Sequence, residues 1–292
     1  MFFSDNFFIN KVIIFRILNN FFTFAAILNT VFLINQIMNK SFLLDDFFKP
    51  AKLVQPISES DYINIQPHIE SLITLARIAN LSIYVLDFKE QNFLYVSSNP
   101  LFLCGYNKED VQKMGYEFYL KIISEDDVSM LNKVSKAGFE YFYEQAPETR
   151  NKLFLSCDFH IQHANKQKYM INHKLTPFAL TQNGEMWLSL CLVTLSTREK
   201  SGNVYIQHIN SPKRIEYSFA TRRWKPALSI SLTNREIEIL RLSAQGFTNK
   251  IIATELFIEE STVKYHKTRI LNKFDVANIM EAVYFATANN MI

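Results

Sequence analysis

The sequence has few cysteines, little net charge and no enzyme signature. Its three cysteines, Cys104, Cys157 and Cys191, are far apart and include no CxxC pair, which predicts buried, reduced thiols rather than disulfides or a metal site. The net charge of +3 excludes a global basic field that would draw the whole chain onto nucleic acid. The sequence contains no phosphate-binding loop, nucleophile elbow, paired metal motif or kinase signature. These absences predict a protein that is not an enzyme and has no catalytic residues.

The N-terminal segment 1–40 lacks an unbroken apolar run. Residues 17–38 are uncharged, but four asparagines and one glutamine interrupt them, whereas a membrane helix needs about 20 mainly apolar residues. Three interpretations stay open: an AT-rich leader translated ahead of a true start at Met38, a membrane anchor, or a packed or disordered extension. We favour the first, because the chain after Met38 has the pattern of a cytoplasmic protein. Residues 41–68 then form a leader segment.

The C-terminal segment 228–292 carries the signals of four helices. Each of three predicted helix starts has a capping residue: Thr233 with Glu236, Thr248, and Asn278 with Glu281. Gly246 ends the first helix, because a left-handed cap favours a residue without Cβ. A turn at 257–260 then leads to a third helix at about 261–273. Two short helices joined by a tight turn predict a helix-turn-helix.

The third helix has one apolar and one polar face. At 100° per residue, the inward face holds Val263, Ile270 and Phe274, and the outward face holds Ser261, Lys264, Tyr265, Thr268 and Asn272. Residues 261–273 include four basic side chains and no acid. Such a helix is attracted to phosphates and offers donors to purine edges. The alternative is a solvated amphipathic helix without a nucleic-acid partner.

The whole segment resembles the LuxR-type helix-turn-helix family of bacterial transcription regulators. The matching residues, spread over about 45 positions without a gap, are Leu232, Thr233, Arg235, Glu236, Glu238, Ile239, Leu240, Ala244, Gly246, Asn249, Lys250, Ile252, Ala253, Leu256, Ile258, Ser261, Thr262, Val263, Lys264, His266, Ile270, Lys273 and Val276. The resemblance implies base contacts from Lys264, Tyr265 and Thr268. It implies phosphate contacts from some of Asn249, Lys250, Thr262, His266 and Lys267. Two positions depart from the family pattern: Glu259 replaces a capping Ser or Thr, and Ile279 replaces a common basic residue.

The last helix predicts pairing with a second copy of the chain. Its small and apolar residues Ala282, Val283, Phe285 and Ala286 form the expected dimerisation surface. A homodimer would recognise double-stranded DNA as an inverted repeat, with half-sites about one helical turn apart. RNA polymerase is a further candidate partner of such a regulator.

The middle of the chain, 69–197, alternates helix and strand patterns. The predicted elements are a helix at 69–79, strands at 82–87 and 92–97, a helix near 128–142, and strands at 154–163, 168–177 and 185–196. This order resembles the PAS fold, with local likeness at Asn99, Gly105-Tyr106, Glu109-Asp110 and 124–127. The resemblance implies an α+β domain with an antiparallel sheet, flanking helices and a pocket for sensing, or a dimer contact. The ligand is unknown.

Cofactor signatures are missing from this middle segment. Cys104 lies in Phe-Leu-Cys-Gly-Tyr rather than in the Asn-Cys-Arg motif of flavin photosensors. Haem sensing would need a histidine on the long helix, and none occurs between Gly105 and Phe159. His160 and His163 are three apart on one strand and point to opposite faces, so adding His173 does not make a metal set. We therefore expect no cofactor and no metal.

Residues 198–227 are predicted to be a basic linker. Seven basic residues stand there against Glu199 and Glu216, so the segment either follows the phosphate backbone or simply joins the domains. The sequence as a whole predicts a one-component transcription regulator in which the PAS-like domain controls the helix-turn-helix at 228–292. The alternatives are a protein-interaction scaffold and, if 17–38 spans a bilayer, a membrane-anchored DNA-binding sensor.

Overall fold

The computed structural model describes residues 55–209, 211, 213–227, 230–289 and 291–292. The predictions for 1–40, including the anchor at 17–38, fall outside this range, as do positions 41–54 of the predicted leader. Within the described part of the chain, no helix is both long and apolar enough to cross a membrane.

An antiparallel sheet with flanking helices forms the first part of the described chain. Its helices are α1 (Glu59–Ile78), α2 (Pro100–Leu103), α3 (Lys108–Met114), α4 (Glu117–Ile122), α5 (Glu125–Glu144) and α6 (Pro147–Arg150). Its strands are β1 (Ser82–Asp87), β2 (Asn92–Val96), β3 (Leu153–Gln162), β4 (Lys168–Leu180), β5 (Met186–Leu195), β6 (Gly202–His208), β7 (Arg214–Ser218) and β8 (Arg223–Ala227). The predicted PAS-like order of elements, and with it the α+β class, is confirmed.

The eight strands form one sheet in the order β2-β1-β5-β4-β3-β6-β7-β8, and every neighbouring pair is antiparallel. The prediction that 198–227 is a linker is therefore wrong, because β6, β7 and β8 lie within it. Val204, Tyr205 and Ile206 are buried in β6, whereas the seven basic residues had suggested a solvated segment. Some of those basic side chains are engaged: Arg214 pairs with Glu216 at 2.6 Å.

The two faces of the sheet have different covers. Tyr84 pairs with Cys191, and Cys191 with Leu175, so these residues share the inner face, which α2 to α5 cover. On the outer face, Ile83 and Val85 pack against α1. Helix α1 begins at Glu59, ten residues before the predicted start, because Ser58 and Asp61 form a capping box there. The predicted boundary between a leader and the domain at 68/69 is thus wrong.

The C-terminal module consists of α7 (Asn234–Ala244), α8 (Asn249–Glu255), α9 (Glu260–Phe274) and α10 (Ile279–Ala288). The predicted caps are confirmed: Thr233, Thr248 and Asn278 each accept a backbone N–H from their helix. Gly246 follows α7 with φ of +84°, a conformation that favours glycine. The four helices share one apolar core, centred on Ile239, Ile252, Val263, Ile270 and Phe274.

Candidate nucleic-acid interface and inner cavity

The two faces of α9 are those the sequence predicted. Val263, Ile270 and Phe274 have no exposed surface. Lys264, Tyr265 and Thr268, the predicted base-contact residues, are all exposed on the opposite side. Arg269 lies over the ring of Tyr265 at 5.7 Å, which adds a second cation to this surface. The exposed side of α9 is therefore polar and basic, as a helix that enters a major groove must be.

An acid lies at the start of this face. Helix α9 begins at Glu260, one residue earlier than predicted, so the expectation of a helix without acids is wrong. Glu260 Oε1 lies 2.9 Å from Lys264 Nζ, one turn along the helix. The hydrogen bond from Lys264, the positive charge of Lys264 and the charge of Lys250 together lower the pKa of the Glu260 carboxyl. Lys264 is thus paired on the exposed face with an acid of its own helix. Glu259 caps α9 without a side-chain hydrogen bond, in keeping with its departure from the family pattern.

The predicted phosphate contacts flank the exposed face. Asn249 and Lys250 begin α8, and Lys250 is exposed. Thr262, His266 and Lys267 are half-buried beside the apolar stripe of α9. Burial lowers the pKa of the Lys267 ammonium. The structure thus places these five residues on two neighbouring helices around the candidate base-reading face.

A buried ion pair fixes α9 against α7. Glu236 is fully buried, and its Oε2 accepts hydrogen bonds from Lys273 Nζ at 2.6 Å and from the backbone N–H of Thr233 at 2.7 Å. Burial alone would raise the pKa of Glu236, but the bonds from Lys273 and Thr233 outweigh it and lower the pKa. Sequence analysis had counted Lys273 with the basic surface. Its contact with Glu236 was not foreseen, although the capping box had already placed Glu236 at the start of α7.

The predicted dimerisation residues form part of the module's own core. Ala282 and Ala286 have no exposed surface, and the ring of Phe285 packs on Phe274 with centroids 4.7 Å apart. Val283 packs against the same core. The prediction of a dimerisation surface is wrong for Ala282 and Ala286, because small apolar residues fit an internal helix contact as well as an external one. The outward side of α10 carries Met280 and Tyr284.

An apolar cavity of about 90 Å³ lies between α5 and the inner face of the sheet. Its lining includes Leu131 and Val134 from α5, Cys157 from β3, and His173 and Leu175 from β4. Burial lowers the pKa of His173 to about 4, so its ring is neutral. The cavity therefore offers an uncharged, mainly apolar environment with one imidazole in its wall.

Hydrogen bonds join Tyr119, Tyr84 and His173 in a chain beside the cavity. Tyr119 donates its hydroxyl proton to the Tyr84 oxygen at 2.7 Å, and the Tyr84 oxygen lies 2.6 Å from His173 Nε2. The Tyr84 hydroxyl also forms a hydrogen bond with Cys191, so the tautomer of His173 decides whether Tyr84 or Nε2 is the donor between them. The buried Cys157 and Cys191 thiols lie on the same face of the sheet, and burial raises the pKa of Cys191 to about 12.

The other two histidines do not join His173. His160 Nδ1 lies 3.1 Å from Ser201 Oγ and 3.5 Å from Asp127 Oδ2, outside the cavity lining. In the described part of the chain, no cluster of His, Cys, Asp and Glu could hold a metal ion.

Comparison with known proteins identifies the C-terminal module. Residues 230–286 match the model of a family described as bacterial regulatory proteins, luxR family. The transcriptional regulatory protein LiaR of Bacillus subtilis is 52% identical over 62 residues, which are 21% of this chain and 29% of LiaR. The oxygen regulatory protein NreC of Staphylococcus haemolyticus is 27% identical over 161 residues, 51% of this chain and 67% of NreC. The chain thus spans less than a third of LiaR's length.

Two solved structures are similar to parts of this chain at low sequence identity. Vibrio cholerae VqmA, described as a LuxR-type receptor, has 14% identity and a TM-score of 0.28, and the match covers 70% of this chain and 82% of VqmA. A light-oxygen-voltage domain has 16% identity and a TM-score of 0.33 over 43% of this chain and 84% of its own. The family match and the observed helices agree: residues 230–286 form a helix-turn-helix domain of the luxR family, preceded in this chain by an α+β domain with the PAS-like order of elements.

Proposed function

We propose that this protein is a one-component, sequence-specific DNA-binding transcription regulator. The observation that carries the proposal is the exposed face of α9, where Lys264, Tyr265 and Thr268 stand opposite a fully buried apolar stripe in a luxR-family domain. DNA recognition of this kind would place the protein in the cytoplasm. The named relatives LiaR and NreC are described as regulatory proteins, which supports the same class.

Recognition would follow the usual geometry of a helix-turn-helix. Helix α9 enters the major groove, and Lys264 leaves Glu260 to donate to a purine edge, most favourably guanine O6 and N7. Lys250 and Asn249 on α8, with Thr262, His266 and Lys267 beside the apolar stripe of α9, would contact phosphates. Because Glu260 is exposed, it can turn away into solvent when DNA takes its partner.

Pairing would use the outward side of α10. Met280 and Tyr284 lie one turn apart on that side, and 68% of Met280 is exposed. A homodimer formed there would bind an inverted repeat in double-stranded DNA with half-sites about 34 Å apart, one helical turn. RNA polymerase remains a candidate partner for the DNA-bound dimer.

The inner cavity would serve as the sensor. A volume of about 90 Å³ is smaller than the roughly 150 Å³ cavity that can hold benzene, so it suits a compact molecule of a few heavy atoms. The apolar walls and the neutral His173 favour an uncharged ligand.

The first experiment is selection of duplex DNA from a random pool by the full-length protein. An enriched inverted repeat is expected. On that duplex, Lys264→Ala should cost about 1–3 kcal/mol and relax sequence preference, whereas Lys250→Ala should weaken specific and random duplexes alike and reduce the salt dependence of binding. Lys133→Ala removes the same charge from an exposed position on α5 and should change neither.

A second variant tests the contact between Glu260 and Lys264. Glu260→Gln releases Lys264 and removes a negative charge, so affinity for the enriched duplex should rise. Equal losses on specific and random DNA from Lys264→Ala would refute its assignment to a base. A protein that enriches no sequence, while binding another protein at high salt, would support the alternative of an interaction scaffold.

A further inference from the structure

Several polar bonds join the C-terminal module to the sheet domain, and three of them are the shortest. The Tyr284 hydroxyl of α10 donates to the backbone oxygen of Leu195, at the end of β5, at 2.6 Å. Lys174 Nζ of β4 donates to the backbone oxygen of Ala288, the last residue of α10, at 2.9 Å. Arg198 Nη1 lies 2.6 Å from Asp275 Oδ2, just after α9. We call these three bonds the clamp.

The clamp is suited to the end of a helix. The carbonyl groups of a helix C-terminus are unpaired and carry partial negative charge, so a lysine there satisfies them and is itself stabilised. Burial lowers the pKa of Lys174, against the opposing effect of the Asp158 charge. A half-buried ammonium is costly unless its donors find acceptors, and here Ala288 provides one. The contact is therefore specific for the C-terminus of α10.

The same strands line the inner cavity and hold α10. Side chains of successive strand residues point to opposite faces. His173 lines the cavity, whereas its neighbour Lys174 binds α10. Likewise Ile206 lines the cavity, whereas Tyr205 reaches Asn289, directly after α10, at 3.4 Å. One layer of backbone thus separates the cavity from the DNA-binding module.

The clamp and a second copy of the chain would compete for the same stripe of α10. Tyr284 and Ala288 are i and i+4 on that helix, and both are engaged by the sheet. Met280 precedes them on the same stripe, which is the side that remains for pairing once Ala282 and Ala286 lie in the core. A module bound to its own sheet therefore cannot present the whole stripe to a second copy.

We infer that the outer face of the sheet is a docking surface for the chain's own α10, and that docking holds the protein in a monomeric state of low DNA affinity. This inference rests on the proposed function for its link to DNA. Ligand in the inner cavity shifts β3, β4 and β6, and thereby weakens the clamp on their other face. The signal thus passes from the inner cavity through the sheet to α10 on the outer face.

The test weakens the clamp from both sides in the full-length protein. Tyr284→Phe removes one hydroxyl from α10 and keeps its ring, whereas Lys174→Met and Arg198→Gln act on the sheet side. Tyr217→Phe makes the same change as the first variant on β7, away from α10, and serves as the control. Two measurements are made: amide hydrogen exchange of 279–288 without DNA, and affinity for the duplex enriched by selection.

All three clamp variants should raise exchange in 279–288 and raise DNA affinity about three- to tenfold, the range expected for one lost hydrogen bond. Tyr217→Phe should change neither. Unchanged exchange in the clamp variants would overturn the docking surface. Faster exchange with unchanged or lower DNA affinity would overturn its inhibitory role. If neither the wild type nor the clamp variants enrich a duplex, the proposed function fails, and hydrogen exchange still decides whether the docking surface exists.

Discussion

The surroundings of His173 change the chemistry of its imidazole. Its ring lies in an apolar wall, is hydrogen-bonded to the Tyr84 hydroxyl, and is neutral with a pKa of about 4 rather than 6.5. From the sequence, His173 is a candidate only for a metal ligand, because strand periodicity does not show which face of a sheet will be enclosed. His173 of β4 pairs with Cys157 of the neighbouring strand β3, and only the tertiary structure shows this pairing.

The buried imidazole should make stability depend on pH. As pH falls below 6.5, the unfolded chain takes up a proton that the folded chain refuses until about pH 4. The free energy of unfolding should therefore decrease between these values, by up to about 3 kcal/mol. Urea denaturation over this range measures it. His173→Gln, which keeps an acceptor for Tyr84, should flatten the profile, and parallel profiles for the two proteins would contradict the assignment.

The pair of Glu236 and Lys273 should respond unequally to loss of either partner. Lys273→Met leaves a carboxylate with no exposed surface, and this should cost about 3 kcal/mol. Glu236→Gln leaves Lys273, whose side chain is 27% exposed and can reach water, so the cost should be nearer to about 1 kcal/mol. Thermal unfolding compares the two, with Lys264→Met as the exposed control. A larger loss for Glu236→Gln would reverse this account.

At the scale of helices and strands, the sequence predicted element boundaries correctly where a local signal determines them. Thr233, Thr248 and Asn278 each placed a helix start correctly, because a side-chain cap acts within one turn. The strands of 69–197 agreed within a few residues, since alternation is also local. The first residue of α9 was missed by one position, which hid Glu260 and its contact with Lys264.

Non-local partners decided the elements that the sequence misjudged. Strand β6 pairs with β3, about 50 residues earlier, and Arg214 of β7 lies over the Tyr205 ring at 4.8 Å. A basic residue that packs on an aromatic ring gives the same sequence signal as one in a linker. Ala282 and Ala286 posed a similar ambiguity, because an alanine face suits both a core and a dimer.

For the molecule as a whole, the strands at 202–227 predict that a cut there will not release the C-terminal module. Trypsin should cleave after two exposed residues, Arg222 in the turn before β8 and Arg223 at the start of β8. Beyond that cut, β8 still pairs with β7, and Trp224 Nε1 donates to the Ala137 oxygen of α5 at 3.2 Å. The two fragments should therefore elute together in native size-exclusion chromatography. Their separation would show that 198–227 behaves as a linker after all.

The short connection after β8 also sets how far a freed module could travel. Six residues lie between Ala227 and Asn234, and such a segment spans at most about 25 Å when fully extended. A module that leaves the sheet would remain tethered by this segment. Its effective concentration near the outer face of the sheet would therefore stay high. DNA and a second copy of the chain would then compete with a docking surface that stays tethered to the module. The response to ligand would therefore be graded and quickly reversible.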